Sequence, residues 1–311
     1  MNLAIAIPIY NQPILLKDCL SSLRNQILFQ SDIFLFDDAS NLEYQTIISS
    51  FSDLKINYKK NPFNLGAMRN MHHSFNEVRS KNKYDFLMVL HEDDFLSPLY
   101  FETVENICVR SQKKPSLILS FFSEFRTPYD CDKISLSNCP THKWLKKHEL
   151  VGMFLLGEPI AFGSAIYNAE KYSDFNFDFA KYGEFSDRPL LLNNLDENDD
   201  ILLITTPLYS LRSHNDNDER WKFLKPIHVF NLVDLYFSIL KLVNSSWLNY
   251  YKKFSTGLIM DSYRNLRLTG NSPNLIIYII TALIKRQISL KYLLLRNNII
   301  NRFFTFLLKS S

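Results

Sequence analysis

The stretch YDFLMVLHEDDFLSP, residues 84–98, decides how the chain is interpreted. Five of the six residues from Phe86 to His91 are apolar, which is typical of a strand buried on both faces of a parallel sheet. The strand runs directly into the carboxylates of 92–94, and ligands of open α/β sheets bind beyond the carboxyl ends of strands. Adjacent carboxylates repel one another, so a divalent cation beside a phosphate-bearing ligand would stabilise them. The alternative is that they cap a helix near Ser97-Pro98.

Strand and helix signals alternate through the first 125 residues. Short apolar runs predict strands, and apolar residues spaced three and four apart predict helices. The predicted strands are Leu3–Ile9, Ile33–Phe36, Lys55–Tyr58, Phe86–Leu90 and Ser116–Phe122, and the predicted helices are Pro13–Gln26, one that ends near Phe51, Gly66–Val78 and Leu99–Arg110. This order predicts an α/β fold with a Rossmann-like, mostly parallel sheet flanked by helices.

The pattern changes after residue 125. We expect a polar loop over 125–139, a helix over 148–156, a strand over 161–167, a helix over 186–194, a strand over 201–209, a charged loop over 212–220 and helices from about 229. The predicted organisation is a catalytic domain over 1–225, with halves 1–125 and 126–225, and a helical C-terminal extension over 226–311.

Composition excludes several classes of protein. The chain contains no GxxxxGK[ST] and no GxGxxG, and it has only seven glycines. Its longest apolar run, Leu275–Ile284 with one threonine, is too short to span a membrane, and the N-terminus lacks the pattern of a signal peptide. The four cysteines have no metal-ligand spacing, so we expect a reduced, cytoplasmic protein. A disulfide between Cys131 and Cys139, which lie close in sequence, is the alternative.

Charge is distributed unevenly along the chain. Residues 262–311 contain eight of the 35 basic residues and no acidic residue, which leaves 27 basic and 32 acidic residues in 1–261. The tail has the pattern of basic amphipathic helices, which bind anionic membrane surfaces, and we expect peripheral contact with the inner face of the plasma membrane. Packing on the catalytic domain or a homo-oligomer interface is the alternative. The acidic body argues against nucleic acid.

Five segments together resemble one known family. They are IPIYN (7–11), FDDAS (36–40), NPFNLGAMRN (61–70), LHEDD (90–94) and EFSDRPLL (184–191). In this order, each at a strand end or in a loop, they are similar to family 2 glycosyltransferases of the GT-A fold, of the bacterial surface-polysaccharide type. The resemblance is strong over 1–125 and looser over 160–215.

The donor side of the predicted site comes from the first segments. Pro8, Tyr10 and Asn11 end the first strand, where a ring could pack on a nucleobase, although Asn11 could instead cap a helix. The resemblance assigns base recognition to Asp38. Asn64 precedes a helix N-terminus, which favours anions, and Arg69 could pair with a phosphate or with the nearby acids.

The acidic segment occupies the place of the family's metal-binding motif. The resemblance implies Mn²⁺ or Mg²⁺, with Asp94 as a ligand, Asp93 as a ligand or ribose contact, and His214 near the metal. The chain departs from the family pattern at His91, where an acid is frequent, and at Glu92, where a small residue is frequent. Glu92 could therefore pair with Arg69.

The acceptor side comes from EFSDRPLL. An inverting transfer needs one base that takes the proton of the acceptor hydroxyl, and we predict Asp187, with Glu184 as the competitor and helix capping as the alternative role of Asp187. Gly163 and Ser164 are expected near the acceptor.

These features predict a metal-dependent, inverting glycosyltransferase. Its donor would be a nucleotide-diphospho-sugar and its acceptor a hydroxyl of a lipid-linked glycan, as in polysaccharide biosynthesis. The alternative enzyme is a nucleotidyltransferase, which would need a glycine-rich phosphate loop near the N-terminus. The N-terminal stretch LAIAIPIYNQP contains no such loop. The alternative that is not an enzyme is a catalytically silent glycan-binding or scaffold subunit with the same fold.

Overall fold

A computed structural model describes residues 1–27, 31–125, 140–173, 175–213, 225–243, 251–252 and 254–260, with the single residues 263, 278, 281, 282 and 285. The strands are β1 (Leu3–Ile9), β2 (Asp32–Asp37), β3 (Ile56–Lys60), β4 (Phe86–Val89), β5 (Phe95–Leu96), β6 (Leu117–Phe125), β7 (His142–Leu145), β8 (Ile166–Asn168) and β9 (Ile201–Arg212). The helices are α1 (Pro13–Arg24), α2 (Gln45–Ser49), α3 (Ala67–Ser80), α4 (Tyr100–Ser111), α5 (Lys147–Leu156), α6 (Phe179–Tyr182), α7 (Asp187–Asn193) and α8 (Pro226–Val243).

All of these strands join one sheet, in the order β3-β2-β1-β4-β8-β6-β9-β5, with β7 also paired to β9. Strands β1 to β4 pair in parallel, and so do β6 and β9. Strand β8 is antiparallel to β4 and β6, and β5 and β7 are antiparallel to β9. Four of these eight pairings are parallel, but six of the nine strands described (β1, β2, β3, β4, β6 and β9) run in the same direction, so the predicted α/β fold with a mostly parallel sheet is confirmed. This arrangement brings the carboxyl ends of β1, β2 and β4 to one edge.

The first strand and helix form for the reasons that their sequences indicate. Six of the seven residues of β1 are buried, because neighbours cover both of its faces. Helix α1 starts at Pro13, whose fixed φ suits the first turn, and it buries Leu16, Leu20 and Leu23 in the core at helical spacing. The N-cap of α1 is Gln12, so the alternative that Asn11 caps this helix is wrong.

Three elements differ from the sequence predictions. The predicted strand at 161–167 is a 3₁₀ turn, Phe162–Ser164, followed by the short strand β8. Strand β9 continues to Arg212, where a loop was expected, because β6 and β5 pair with its second half. The short strand β5 follows the acids directly, and α4 begins only at Tyr100, so these acids do not cap that helix.

The chain divides into two compact units that interleave along the sequence. The first comprises 1–147, 158–177 and 190–217, and it contains every strand described above. The second comprises 148–157, 178–189 and 218–311. Among the described residues, no helix is long and apolar enough to cross a membrane. His214, Cys131, Cys139 and most of the basic tail lie outside the described residues.

Candidate active site

A cavity of about 360 Å³ opens at the carboxyl ends of β1, β2 and β4 in the first unit. Its walls come from the ends of these strands and from the first turn of α3. The lining residues are Pro8, Ile9, Tyr10, Gln12, Asp38, Asn64, Gly66, Ala67, Asn70, Met71, His91, Glu92 and Asp93. Five predicted donor-side residues, Pro8, Tyr10, Asp38, Asn64 and Asp93, therefore meet at one site.

Glu92 joins the end of β1 to the acidic segment. Its Oε1 accepts a hydrogen bond of 2.8 Å from the Tyr10 N–H, while the Tyr10 side chain remains 43% exposed at the cavity. The Glu92 Oε2 is buried and has no hydrogen-bond partner among the described residues. Burial raises the pKa of the Glu92 carboxyl to about 9, and the Asp93 and Asp37 carboxylates raise it as well. The predicted alternative of a Glu92–Arg69 pair is wrong, because the partner of Glu92 is this backbone N–H.

Asp38 anchors the loop that leads into α3. Its Oδ1 accepts from the Leu65 N–H at 2.7 Å and from the Asn61 side chain at 3.1 Å, and its Oδ2 accepts from the Gly66 N–H at 2.8 Å. Gly66 has a φ of 83°, a conformation that favours glycine. The buried carboxylate of Asp38 thus shapes the cavity wall, whatever ligand it also contacts.

Two of the predicted donor residues do not line the cavity. Asn11 has a φ of 54°, and its Oδ1 accepts from the Asn41 N–H at 2.9 Å, so it ties together the loops that follow β1 and β2. Arg69 is exposed on α3, with no hydrogen bond or ion pair to any described residue. It lies in the first turn of α3, between the lining residues Ala67 and Asn70, but does not itself line the cavity, and its predicted contact with a phosphate stays a prediction.

His91, Asp93 and Asp94 form a group that could hold a metal ion. One ligand atom from each residue lies within 4.8 Å of the others, and His91 Nδ1 is 3.3 Å from Asp94 Oδ2. Two carboxylates and one imidazole suit Mn²⁺, whereas Mg²⁺ prefers oxygen ligands alone. These donors therefore fit a divalent cation, with His91 in addition to the two predicted aspartates.

Strand β9 supplies hydrogen-bond donors to the acidic segment, residues 92–94. The Tyr209 hydroxyl donates to Asp94 Oδ2, and the Arg212 backbone N–H donates to Asp94 Oδ1 at 2.9 Å. The Arg212 guanidinium donates to the Asp93 carbonyl at 2.9 Å and to Asp18 at 2.8 Å. Burial and the neighbouring Asp94 carboxylate raise the pKa of Tyr209 well above its ordinary value, so this phenol remains a proton donor.

Asp187 begins α7, in the second unit. Its Oδ1 accepts from the Arg188 N–H at 2.8 Å, and its Oδ2 is 3.5 Å from the Arg188 guanidinium. That guanidinium lies 4.2 Å from the centre of the Phe154 ring, within the same unit. Asp187 is about one-quarter exposed, and its role as a base stays a prediction. The Glu184 side chain lies outside what the structure describes.

Sequence reasoning did not identify His91 as a candidate metal ligand or Tyr209 as a hydrogen-bond donor to Asp94, and it placed Arg212 in a loop. His91 could have been found, because it follows directly on the strand that carries the acids. Tyr209 carried no such signal, since it is 115 residues from Asp94 and stands at the end of the predicted strand 201–209.

Comparison with known proteins indicates which family the chain resembles. Residues 4–108 match the family model described as glycosyl transferase family 2. No curated protein matches the sequence. The structure of S. aureus TarS 1–349 in complex with UDP-GlcNAc is similar with a TM-score of 0.58 at 11% identity, over 86% of this chain and 73% of that chain.

Two further structures share the fold. S. aureus TarS 1–349 aligns in another structure with a TM-score of 0.52 at 14% identity, over 88% of this chain and 83% of that chain. The mannosyltransferase PcManGT from Pyrobaculum calidifontis, in complex with GDP-Man and Mn²⁺, has a TM-score of 0.50 at 13% identity, over 91% and 79%. The predicted GT-A fold is confirmed. Because the matched segment 4–108 contains every lining residue of the cavity, the protein is a glycosyltransferase with the GT-A fold.

Proposed function

We propose that the protein is a metal-dependent, inverting glycosyltransferase that uses a nucleotide-diphospho-sugar. The observation that carries this proposal is the cavity at the strand ends, whose wall includes an exposed aromatic ring, Tyr10, and the carboxylate of Asp93. An aromatic face suits a nucleobase, and a metal-binding acid suits the diphosphate. Similar proteins with this fold have been solved with UDP-GlcNAc or with GDP-Man and Mn²⁺.

The group formed by His91, Asp93 and Asp94 could hold a cation that stabilises a nucleoside diphosphate as it leaves. The chemistry that a bound Mn²⁺ or Mg²⁺ supplies is Lewis-acid assistance to this leaving group. Asp94 and Asp93 would be its ligands together with His91, whose Nδ1 lies close to Asp94. His214 remains a further predicted ligand. The first turn of α3 lines the cavity, so its positive helix end would lie beside the phosphates of a bound donor.

Asp187 is the proposed base. The acceptor hydroxyl would attack the anomeric carbon from the side opposite the leaving nucleoside diphosphate, while the Asp187 carboxylate takes the hydroxyl proton. The bond to the diphosphate breaks as the new glycosidic bond forms, so the anomeric configuration inverts in one step. The neighbouring Arg188 guanidinium, at 3.5 Å, would favour the ionised carboxylate that a base requires.

We further propose that the acceptor is a lipid-linked glycan in bacterial polysaccharide biosynthesis, at the inner face of the plasma membrane. The basic tail supports this, because eight cationic side chains without an acidic one attract anionic lipids. The full chain should co-sediment with vesicles that contain phosphatidylglycerol and not with pure phosphatidylcholine. Replacing Lys291, Arg296 and Arg302 by alanine should weaken this binding at least tenfold. Equal binding by this variant would refute the membrane role of the tail.

The test of the donor site is a thermal-shift screen with UDP, GDP, dTDP and CMP, each with Mn²⁺ and with EDTA. A ligand that binds only the folded protein raises its melting temperature by mass action. We expect one nucleotide to raise it in the presence of Mn²⁺, and the Asp94→Asn variant to lose this shift. Thermal shifts absent with every nucleotide would reject the donor site and favour the catalytically silent scaffold.

A further inference from the structure

Asp94 is held at both carboxylate oxygens by one distant strand. Tyr209 donates its hydroxyl to Oδ2, and Arg212 donates its backbone N–H to Oδ1. Asp94 is only 1% exposed, so these two donors fix the plane of its carboxylate. The carboxylate plane determines where its remaining lone pairs point, and hence where a cation would lie.

An irregularity in β9 makes this arrangement possible. Ser120 of β6 pairs with Ile204, but Phe122 pairs with Tyr209, so β9 takes five residues where β6 takes two. Extra residues of this kind bend a strand and re-aim the side chains that follow. The second half of β9 then pairs with β5, which directly follows the acidic segment, and Tyr209 and Arg212 thereby lie against Asp94.

The Tyr209 hydroxyl occupies space that only a glycine leaves open. A Cβ at Gly163 would overlap the Tyr209 hydroxyl, and it would lie 3.5 Å from His91 Cε1. Gly163 was expected near the acceptor, which stays a prediction, and the side chains closest to it in the first unit are those of Tyr209 and His91. The Tyr209 hydroxyl can therefore reach Asp94 only because residue 163 has no side chain.

We propose that Tyr209, Arg212 and Gly163 form a positioning clamp that sets the cation affinity of Asp94. This proposal rests on the proposed metal-dependent transfer, and it assigns the three residues to holding a metal ligand. The clamp residues themselves do not contact the cation. They keep one carboxylate orientation, so that no orientational freedom is lost when a cation binds. Removing such partners of metal ligands typically weakens metal binding ten- to a hundredfold.

Three variants distinguish the effect of the Tyr209 hydroxyl from the effect of the packing around it. Tyr209→Phe removes the donor and retains the ring, whereas Gly163→Ala retains the tyrosine and displaces its hydroxyl. In the double variant the alanine fills the space that the hydroxyl left. The matched control is Tyr100→Phe, which removes another buried hydroxyl nearby, the donor to the Ser164 carbonyl, without touching Asp94.

The readout is binding of Mn²⁺ alone to the purified full-length protein, followed by the EPR signal of free Mn²⁺. We expect about tenfold weaker binding for Tyr209→Phe and for Gly163→Ala, and no further loss in the double variant, because both remove the same hydrogen bond. Melting temperatures recorded in parallel should fall for Tyr100→Phe, while its Mn²⁺ affinity should equal that of the wild type.

The outcomes distinguish this proposal from the proposed function. If the wild type binds Mn²⁺ and Tyr209→Phe binds it equally well, only the clamp is overturned. Weakened binding by Tyr100→Phe to the same extent would also overturn it, because any loss of packing would then be sufficient. A wild-type protein that binds no Mn²⁺ would overturn the clamp together with the metal dependence.

Discussion

The buried carboxyl of Glu92 should make the stability of the protein depend on pH, and Glu92→Gln should remove that contribution. Glutamine keeps the shape of the side chain and an Oε1 that can accept from the Tyr10 N–H. It cannot ionise. The comparison of this variant with the wild type therefore isolates the cost of ionising a carboxyl whose second oxygen is buried without a partner among the described residues.

The sign follows from the pKa of Glu92, which burial raises from 4.5 to about 9. Between these values the folded protein keeps a proton that the unfolded chain releases, so the stability from this group is complete below pH 4.5 and is lost as pH rises towards 9. One proton is worth about 1.4 kcal/mol per pH unit, so the loss between pH 5.5 and 8.0 is on the order of 3 kcal/mol. The variant should gain this amount over the wild type.

The assay is urea unfolding of both proteins at pH 5.5 and pH 8.0, in EDTA so that no cation lowers the pKa of Glu92. All other groups titrate equally in the two proteins, and their effects cancel in the difference. Glu170→Gln is the control, because its side chain is 84% exposed and it should show the same pH dependence as the wild type. A difference between Glu92→Gln and the wild type that stays constant with pH would refute the reasoning.

Three further substitutions test other parts of the site. Asp187→Asn should lower kcat at least a hundredfold and leave the nucleotide-dependent thermal shift unchanged, and a loss below tenfold would exclude Asp187 as the base. Asp38→Asn should lower the free energy of unfolding by about 1–3 kcal/mol in urea unfolding, because the Leu65 or Gly66 N–H loses its acceptor, and unchanged stability would contradict the anchoring role. Arg69→Ala should leave stability within about 0.5 kcal/mol, since the side chain is exposed, but should weaken nucleotide binding about tenfold in the same thermal-shift titration. Equal nucleotide affinity would place Arg69 outside the site.

Local patterns predicted the first half of the fold well. The observed β1 coincides with its predicted bounds, and α1, α3 and α4 differ from theirs by about two residues. These elements have a clear apolar period, and each is long enough for that period to be read. Strands β5 and β7 escaped prediction because two and four residues carry too little pattern, and they exist only because β9 supplies a partner.

The candidate site was predicted in part. Tyr10, Asp38, Asn64 and Asp93 meet at the cavity because each follows a parallel strand or opens a helix at the same sheet edge. Arg212 was expected in a solvated loop, since charged residues follow it in the sequence, but it is 6% exposed and lies 4.8 Å from the centre of the Phe125 ring. The pairing of β9 with β6, which no local pattern encodes, buries it.

The sequence by itself determined the alternation of strands and helices and the position of the acids at a strand end, because both are properties of neighbouring residues. Only the tertiary structure decided which groups satisfy those acids. Asp94 receives its donors from residues 115 and 118 positions away, and Glu92 receives one from 82 positions away. Such contacts depend on strand order, register and the irregularity in β9, and these arise from the packing of the whole sheet.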